Sequence, residues 1–277
     1  MTIRNAQQFD WTLITVTYNS ASRLREFWST PPSNVQWIVV DNGSTDDTLN
    51  VLRDLAPTQL VELKRNVGFS AANNIGMEFA AADLIGFINP DVTVDFESLD
   101  EIQGELERND WLITPQLLNS DRSLQPNGRG FPLVINKLRN RGKDSHLLLD
   151  HYLLLSSDGQ KRHVCWVIGA VLLGRRSTFE RLGGWDDRFF IYYEDADICI
   201  RAWEQGIPTV VLGSHNWVHG WSRETLTFRW GPWRREIASL LKFYSRYPSL
   251  VLGHRRAQRR FPNIAASIES PSKQAAS

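Results

Sequence analysis

Cysteine is scarce in this chain: Cys165 and Cys199 are the only two among 277 residues, and they share no metal-ligand spacing. So few thiols exclude a disulfide scaffold and a zinc ribbon, and they fit buried, unpaired cysteines in a reducing compartment. Net charge is also absent, 31 basic residues balancing 31 acidic ones, so no global field draws the chain to nucleic acid. No run approaches the ~20 apolar residues that a membrane span needs. Met1 to Asp10 has no apolar signal core, which makes it an N-terminal extension and the expected location cytoplasmic. The dinucleotide glycine fingerprint and the Lys-Ser phosphate loop are missing too, which disfavours a dehydrogenase or a simple ATPase.

What is present is an ordinary globular composition, 42% apolar and 22% charged, in a chain long enough to bury its own core. Trp11 to Tyr18 is a β-branched run, followed by a helical stretch from Ser22 to Ser29. Gln36 to Val40 and Asp47 to Leu55 repeat the pattern. Leu60 to Leu63, Phe69 to Ala81 and Asp83 to Ile88 continue it, so alternating strands and helices predict parallel βαβ units. Ligands of such sheets lie beyond the carboxyl ends of the strands, so the candidate loops are Thr17 to Ser20, Asp41 to Asp46, Arg65 to Asn74 and Asn89 to Asp91. Leu99 to Arg108 reads as a helix and Trp111 to Leu118 as a strand. Asn119 to Arg162 loses periodicity and is expected to be a long, partly mobile excursion over the site. Val164 to Leu173 and Ile207 to Leu212 read as strands, with a short helix from Arg176 to Leu182.

The most unusual stretch runs from Gly183 to Cys199. Asp186, Asp187, Glu194, Asp195 and Asp197 are interleaved there with Trp185, Phe189, Phe190, Tyr192 and Tyr193. Aromatic neighbours partly bury carboxylates and hinder their ionisation, which suits a site better than a solvated surface. Acids in the first turn of a helix over Ala196 to Gln205 are the plainer explanation of Glu194 and Asp195. Trp230 to Tyr244 is a basic, tryptophan-bearing amphipathic helix, and the Ala/Ser-rich end beyond Pro262 is expected to be disordered.

Six segments in a fixed order resemble the family-2 glycosyltransferases of GT-A fold, in particular rhamnosyltransferase-like members. They are Val16-Thr-Tyr-Asn19, Val40-Asp-Asn-Gly-Ser-Thr-Asp46, Asn66-Val-Gly-Phe-Ser-Ala-Ala-Asn-Asn-Ile-Gly76, Asn89-Pro-Asp91, Gly184-Trp185 to Glu194-Asp195, and His219-Gly-Trp-Ser222. The resemblance implies an α/β GT-A (Rossmann-like) fold, its mostly parallel central sheet flanked by helices, over residues 11–228. A nucleotide-sugar half would span 11–118 and an acceptor half 163–228, followed by a basic helical segment, 229–261, and a tail, 262–277.

It implies nucleotide binding by Thr17, Tyr18 and Asp41, whose carboxylate can accept from a pyrimidine imide. Asn66, Gly68, Asn74 and Asn89 would approach the ribose and phosphates. Asp91 and His219 would hold Mn²⁺ or Mg²⁺, with His215 the alternative histidine; Asn89 replaces the first acid of the family's metal motif. Asp195 would be the catalytic base, Glu194 would support it or orient the acceptor, and Trp185 would offer a sugar-stacking face. The expected activity is inverting transfer of a sugar, with rhamnose the candidate, from a UDP- or dTDP-sugar to a glycan or lipid-linked acceptor in cell-envelope polysaccharide synthesis. The C-terminal helix would give peripheral contact with the inner face of the membrane. Two alternatives remain open, a nucleotidyltransferase on a similar sheet and a noncatalytic carbohydrate- or membrane-binding module.

Overall fold

The computed structural model describes residues 9–141, 148–149, 151–156, 159–220 and 230–269. Trp221, Ser222 and Arg223, like most of the N-terminal extension, lie outside the described residues. The first half contains β1 (Trp11–Thr17), α1 (Ala21–Phe27), β2 (Val35–Asp41), α2 (Thr48–Leu55), β3 (Gln59–Glu62), α3 (Phe69–Met77), β4 (Leu84–Ile88), β5 (Val92–Thr93), α4 (Leu99–Arg108) and β6 (Leu112–Leu118). Then come β7 (Leu124–Gln125), β8 (Gly128–Arg129), α5 (Val134–Arg141), β9 (Leu153–Leu154), β10 (Lys161–Val164), β11 (Trp166–Val167) and β12 (Val171–Arg175). The chain ends through α6 (Arg176–Leu182), α7 (Glu194–Glu204), β13 (Thr209–His219), α8 (Trp230–Arg246), α9 (His254–Arg260) and α10 (Pro262–Glu269).

These strands form one large sheet in the order β10-β13-β6-β12-β4-β1-β2-β3, with β5 and β7 attached to β13 and β6. β1 pairs in parallel with β2 and β4, and β2 with β3. β12 then runs antiparallel to both β4 and β6, which joins the two halves of the chain in a single sheet. Helices cover both faces, so β1 and β2, rich in Val, Ile and Thr, are buried almost throughout. One core cluster gathers Leu13, Trp37, Leu52 and Val171, and the other Ile14, Phe87, Trp185 and Phe243. A second sheet, β11-β8-β9, rises from what was expected to be an irregular excursion.

Three expectations change. The stretch from Val164 to Leu173 is not one strand: β10, β11 and β12 divide it, because the chain crosses there between the two sheets. β13 continues past Leu212 to His219 through an irregularity in its pairing with β6, which carries the histidine to the end of the sheet. The expected disordered tail is instead helical from Pro262 to Glu269, with Ile264 and Ala265 buried. Two apolar side chains docked on a preformed core suffice to order an Ala/Ser-rich segment that has little hydrophobicity of its own. No helix among the described residues is long and apolar enough to cross a membrane.

Candidate active site

α3 is positioned by the backbone that leads to the acidic stretch. Gly68, its N-cap, has φ +97°, and a Cβ there would stand 2.7 Å from the Phe190 carbonyl oxygen. Phe69 N–H donates to that same carbonyl at 2.7 Å. One turn on, Asn74 clamps Trp185: Nδ2 donates to the Trp185 carbonyl at 2.8 Å, and Oδ1 accepts the Trp185 N–H at 2.9 Å. Gly184 is required beside it, since a Cβ would come within 2.6 Å of Asn74 Oδ1. Asn74 and Gly68 therefore hold protein to protein where they were expected to meet a nucleotide. Asn66 does the same, its Oδ1 accepting from Asn42 Nδ2 and from Gly68 N–H.

Trp185 is 1% exposed and packs edge-on against Phe69 and Phe87, so its ring belongs to the core and offers no sugar-stacking face. Beyond it, Tyr192 and Tyr193 both have φ +71°, two consecutive side chains in left-handed backbone. Each such residue costs on the order of 1–3 kcal/mol, and the pair turns the chain so that α7 starts on Glu194 and Asp195.

A cavity of about 280 Å³ opens at this helix start, and its lining includes Asn89, Asp91, Glu194, Asp195 and His219. Five predicted site residues from three separate segments thus converge. Asp195 Oδ2 accepts from Gly169 N–H at 3.1 Å, and Oδ1 accepts from Ala196 N–H at 2.8 Å. Burial raises the Asp195 pKa above the ordinary carboxylate range, with Lys137 and Arg129 opposing the rise. Glu194 is pushed up further by burial and by the neighbouring Asp195 charge, and its Oε2 is buried with no hydrogen-bond partner. Burial thus raises both carboxyls, and the charge of one opposes ionisation of the other, so the two titrate as a pair.

Asp91 and His219 face each other across the cavity, Nε2 lying 3.5 Å from Oδ1. Gln125 fixes the imidazole: its Nε2 donates to Asn119 Oδ1, which leaves Oε1 to accept the His219 Nδ1 proton at 2.7 Å. His219 Nε2 then presents a lone pair toward a carboxylate oxygen that is itself buried and without a hydrogen-bond partner. Two acceptors directed at one another fit a cation between them. Among the described residues no group of three or more His, Cys, Asp or Glu has metal-holding geometry, so water and substrate oxygens would complete the shell. His215 points elsewhere, 3.6 Å from Glu101.

Thr17, Tyr18 and Asp41 lie apart from this cavity, at the ends of β1 and β2, where Thr17 pairs with Asp41 in register. Asp41 is buried and accepts from Thr17 Oγ1 at 3.0 Å, Ser44 N–H at 2.9 Å and Ser44 Oγ. Tyr18, 49% exposed, is the open surface of that group. Two cations were not anticipated. Arg129 lines the cavity from β8, and Lys137 of α5 sits 4.3 Å from the ring centres of Trp166 and Tyr193. Both come from the segment without periodicity; the one local signal is the Gly128-Arg129-Gly130 run, whose glycines meet β9 and its approach too closely for side chains. A larger cavity of about 860 Å³, bordered by Phe131, Arg162 and His254, contains none of the predicted residues.

The sequence profile described as Glycosyl transferase family 2 matches residues 12–154, and that of Glycosyl transferase family group 2 matches residues 124–268. A Mycobacterium tuberculosis relative named N-acetylglucosaminyl-diphospho-decaprenol L-rhamnosyltransferase is 28% identical over 237 residues, 75% of each chain. Among solved structures, the mannosyltransferase PcManGT of Pyrobaculum calidifontis, in complex with GDP-Man and Mn²⁺, superposes with a TM-score of 0.60 at 16% identity, covering 96% of this chain and 71% of that one. TarS of S. aureus in complex with UDP-GlcNAc gives a TM-score of 0.56 at 15% identity, covering 80% of this chain and 62% of that one. These two likenesses establish the GT-A type of fold.

Proposed function

From the premise that this chain belongs to glycosyl transferase family 2, we propose that it is an inverting glycosyltransferase using a UDP- or dTDP-linked sugar, with a glycan or lipid-linked hydroxyl as acceptor. The observation that carries the reading is the convergence of Asp91, His219, Glu194 and Asp195 on one cavity. The rhamnosyltransferase name of the mycobacterial relative supports rhamnose as the sugar and a polyprenyl diphosphate glycolipid as the acceptor class.

In this reading the base of the nucleotide rests beside Tyr18 and Asp41, and the diphosphate reaches the cavity along the ends of β1 and β4. Asp91 and His219 Nε2 would hold a divalent ion, Mn²⁺ or Mg²⁺, which when bound neutralises diphosphate charge as the leaving group departs. The acceptor oxygen attacks the anomeric carbon from the face opposite the diphosphate. The new carbon–oxygen bond forms as the bond to the phosphate oxygen breaks, so configuration inverts and nucleoside diphosphate leaves. Asp195 takes the hydroxyl proton. Its carboxylate is desolvated enough to be basic, yet kept in place by the Gly169 and Ala196 amides. Glu194, beside it in the same cavity, supports the base or orients the acceptor.

Replacing Asp195 by Asn keeps the size and one of the two amide contacts, sets its NH2 against the other amide, and removes the base. Transfer is expected to fall by about 10²–10⁴-fold with nucleotide binding retained. Calorimetry with UDP and dTDP alongside a transfer assay checks this, and loss of nucleotide binding in the variant would make Asp195 a structural group instead.

A further inference from the structure

Arg129 is a buried guanidinium, 6% exposed, whose described hydrogen bonds all use one nitrogen: Nη1 donates to the Pro126 carbonyl and, at 2.8 Å, to the Gly128 carbonyl. Its carbon lies 5.9 Å from the Trp166 ring centre. Among the described residues no carboxylate forms an ion pair with it. A buried cation so provided for is expensive, because backbone carbonyls and one aromatic face do not replace the water lost by a full charge. The missing partner is an anion, and the fork left by Nε and Nη2 matches two oxygens of one phosphoryl group better than a point charge would.

The segment that carries Arg129 says where such an anion enters. β7 and β8 belong to different sheets and are joined by only two residues, Pro126 and Asn127, so the Gln125 that fixes His219 and the guanidinium are four positions apart. Asn127 anchors this crossover to the main sheet through the Pro115 carbonyl at 2.8 Å, and Gly130 N–H anchors it to the Tyr152 carbonyl at 2.9 Å. Gln125, Pro126 and Arg129 all line the same cavity as Asp91. A phosphoryl group entering this cavity therefore comes within reach of the same segment.

We propose that Arg129 is the diphosphate-binding residue of this site, so that the cavity selects nucleoside diphosphates over monophosphates. The inference rests on the nucleotide-sugar reading above and adds to it the residue that tells one phosphate from two. Arg129 also opposes the rise in the Asp195 pKa, and the test separates that role from anion binding.

The probes are UDP and UMP, then dTDP and dTMP, titrated calorimetrically into the full chain with Mn²⁺ and again in chelator. Arg129→Met is expected to weaken diphosphate binding about tenfold or more and to leave monophosphate binding within about twofold, in both conditions, as loss of a charge-assisted bidentate contact would. Arg129→Lys should recover part of the loss, and it keeps the question answerable if the methionine variant folds poorly. Equal losses for mono- and diphosphate, or unchanged diphosphate binding with the acid limb of the pH–rate profile moved upward, would overturn the proposal; the second result would make Arg129 a positioning residue for Asp195. Wild-type protein that binds no nucleotide would defeat the underlying reading, a result distinct from wild-type binding that Arg129→Met leaves intact.

Discussion

Glu194 is where folding and chemistry conflict most openly. Its side chain is buried at the start of α7 with Oε2 lacking a hydrogen-bond partner, and its folded pKa lies well above 4.5 because burial and Asp195 disfavour the charge. A carboxyl that binds its proton more tightly when folded stabilises the protein below its unfolded pKa and loses that contribution as pH rises toward the folded value. At neutral pH Glu194 is thus a stability cost kept for its place beside Asp195. Glu194→Gln is expected to raise Tm at pH 7 by about 2–4 °C, on the order of 1 kcal/mol, with the gain shrinking as pH falls toward 4.5, while transfer activity drops. Thermal melts across pH 4.5 to 8 would read this, and a gain that grows on acidification would show the sign to be wrong. The amides teach a different lesson. Asn66 and Asn74 are inward polar groups as their sequence setting suggests, but their partners are Gly68 and Trp185, and a single chain of letters does not reveal whether an inward amide meets ligand or backbone.

Among the elements, those carried by local pattern were the legible ones: β1 and β2 are rich in β-branched residues, β4 is a short apolar run, and α4 and α8 have their apolar faces at helical spacing. The crossover bearing Gln125 and Arg129 was not legible, since strands of two residues have no measurable alternation and exist through pairing with β6, β11 and β9. α8 shows a further limit. Its basic, amphipathic sequence suggests a membrane-facing accessory, yet Phe243, Tyr244 and Tyr247 are buried and pack on Tyr193 and on one another. Tyr247 donates to Asp197 Oδ1 at 2.9 Å, Arg246 Nη1 lies 3.1 Å from that oxygen and 2.9 Å from Asp186, and Arg201 holds the other Asp197 oxygen at 2.7 Å. Asp186 and Asp197, acids of the stretch that received no site role, thus fasten the C-terminal segment to α7 and the turn before it. Tyr247→Phe should cost about 1–3 kcal/mol by leaving Asp197 short of a donor, lowering Tm by several degrees with little change in nucleotide affinity. Deleting residues 230–277 would unfold the acceptor side outright, so truncation cannot be used to test lipid binding.

At the scale of the whole molecule, one sheet spans both halves of the chain, and its order follows from pairings that bridge the excursion: β12 enters between β4 and β6, and β13 joins β6 from the far side. Long-range antiparallel insertion leaves no local signature, which is why the parallel half was readable in outline and the second half was not. Ser239 of α8 donates to the Ile191 carbonyl at 2.8 Å, and Ile191 lines the catalytic cavity, so the inner face of α8 is seated beside that cavity. On its other face Ile237 and Leu241, one helical turn apart, are 48% and 63% exposed. The sequence around this pair is basic, with Arg235 over the Phe190 ring and Lys242 donating to the Arg188 carbonyl. An exposed apolar pair in a basic segment suits the interface of an anionic bilayer, where each burial adds hydrophobic free energy and each basic residue about 1 kcal/mol. The double variant Ile237→Glu, Leu241→Glu reverses both contributions at positions that support no packing. It is expected to lose about tenfold or more in partition onto phosphatidylglycerol vesicles, to keep its Tm and nucleotide affinity, and to transfer normally to a short water-soluble acceptor while slowing on a polyprenyl-linked one. Equal activity of variant and wild type on the lipid acceptor, with unchanged vesicle partition, would leave this face of α8 as ordinary solvent-exposed surface.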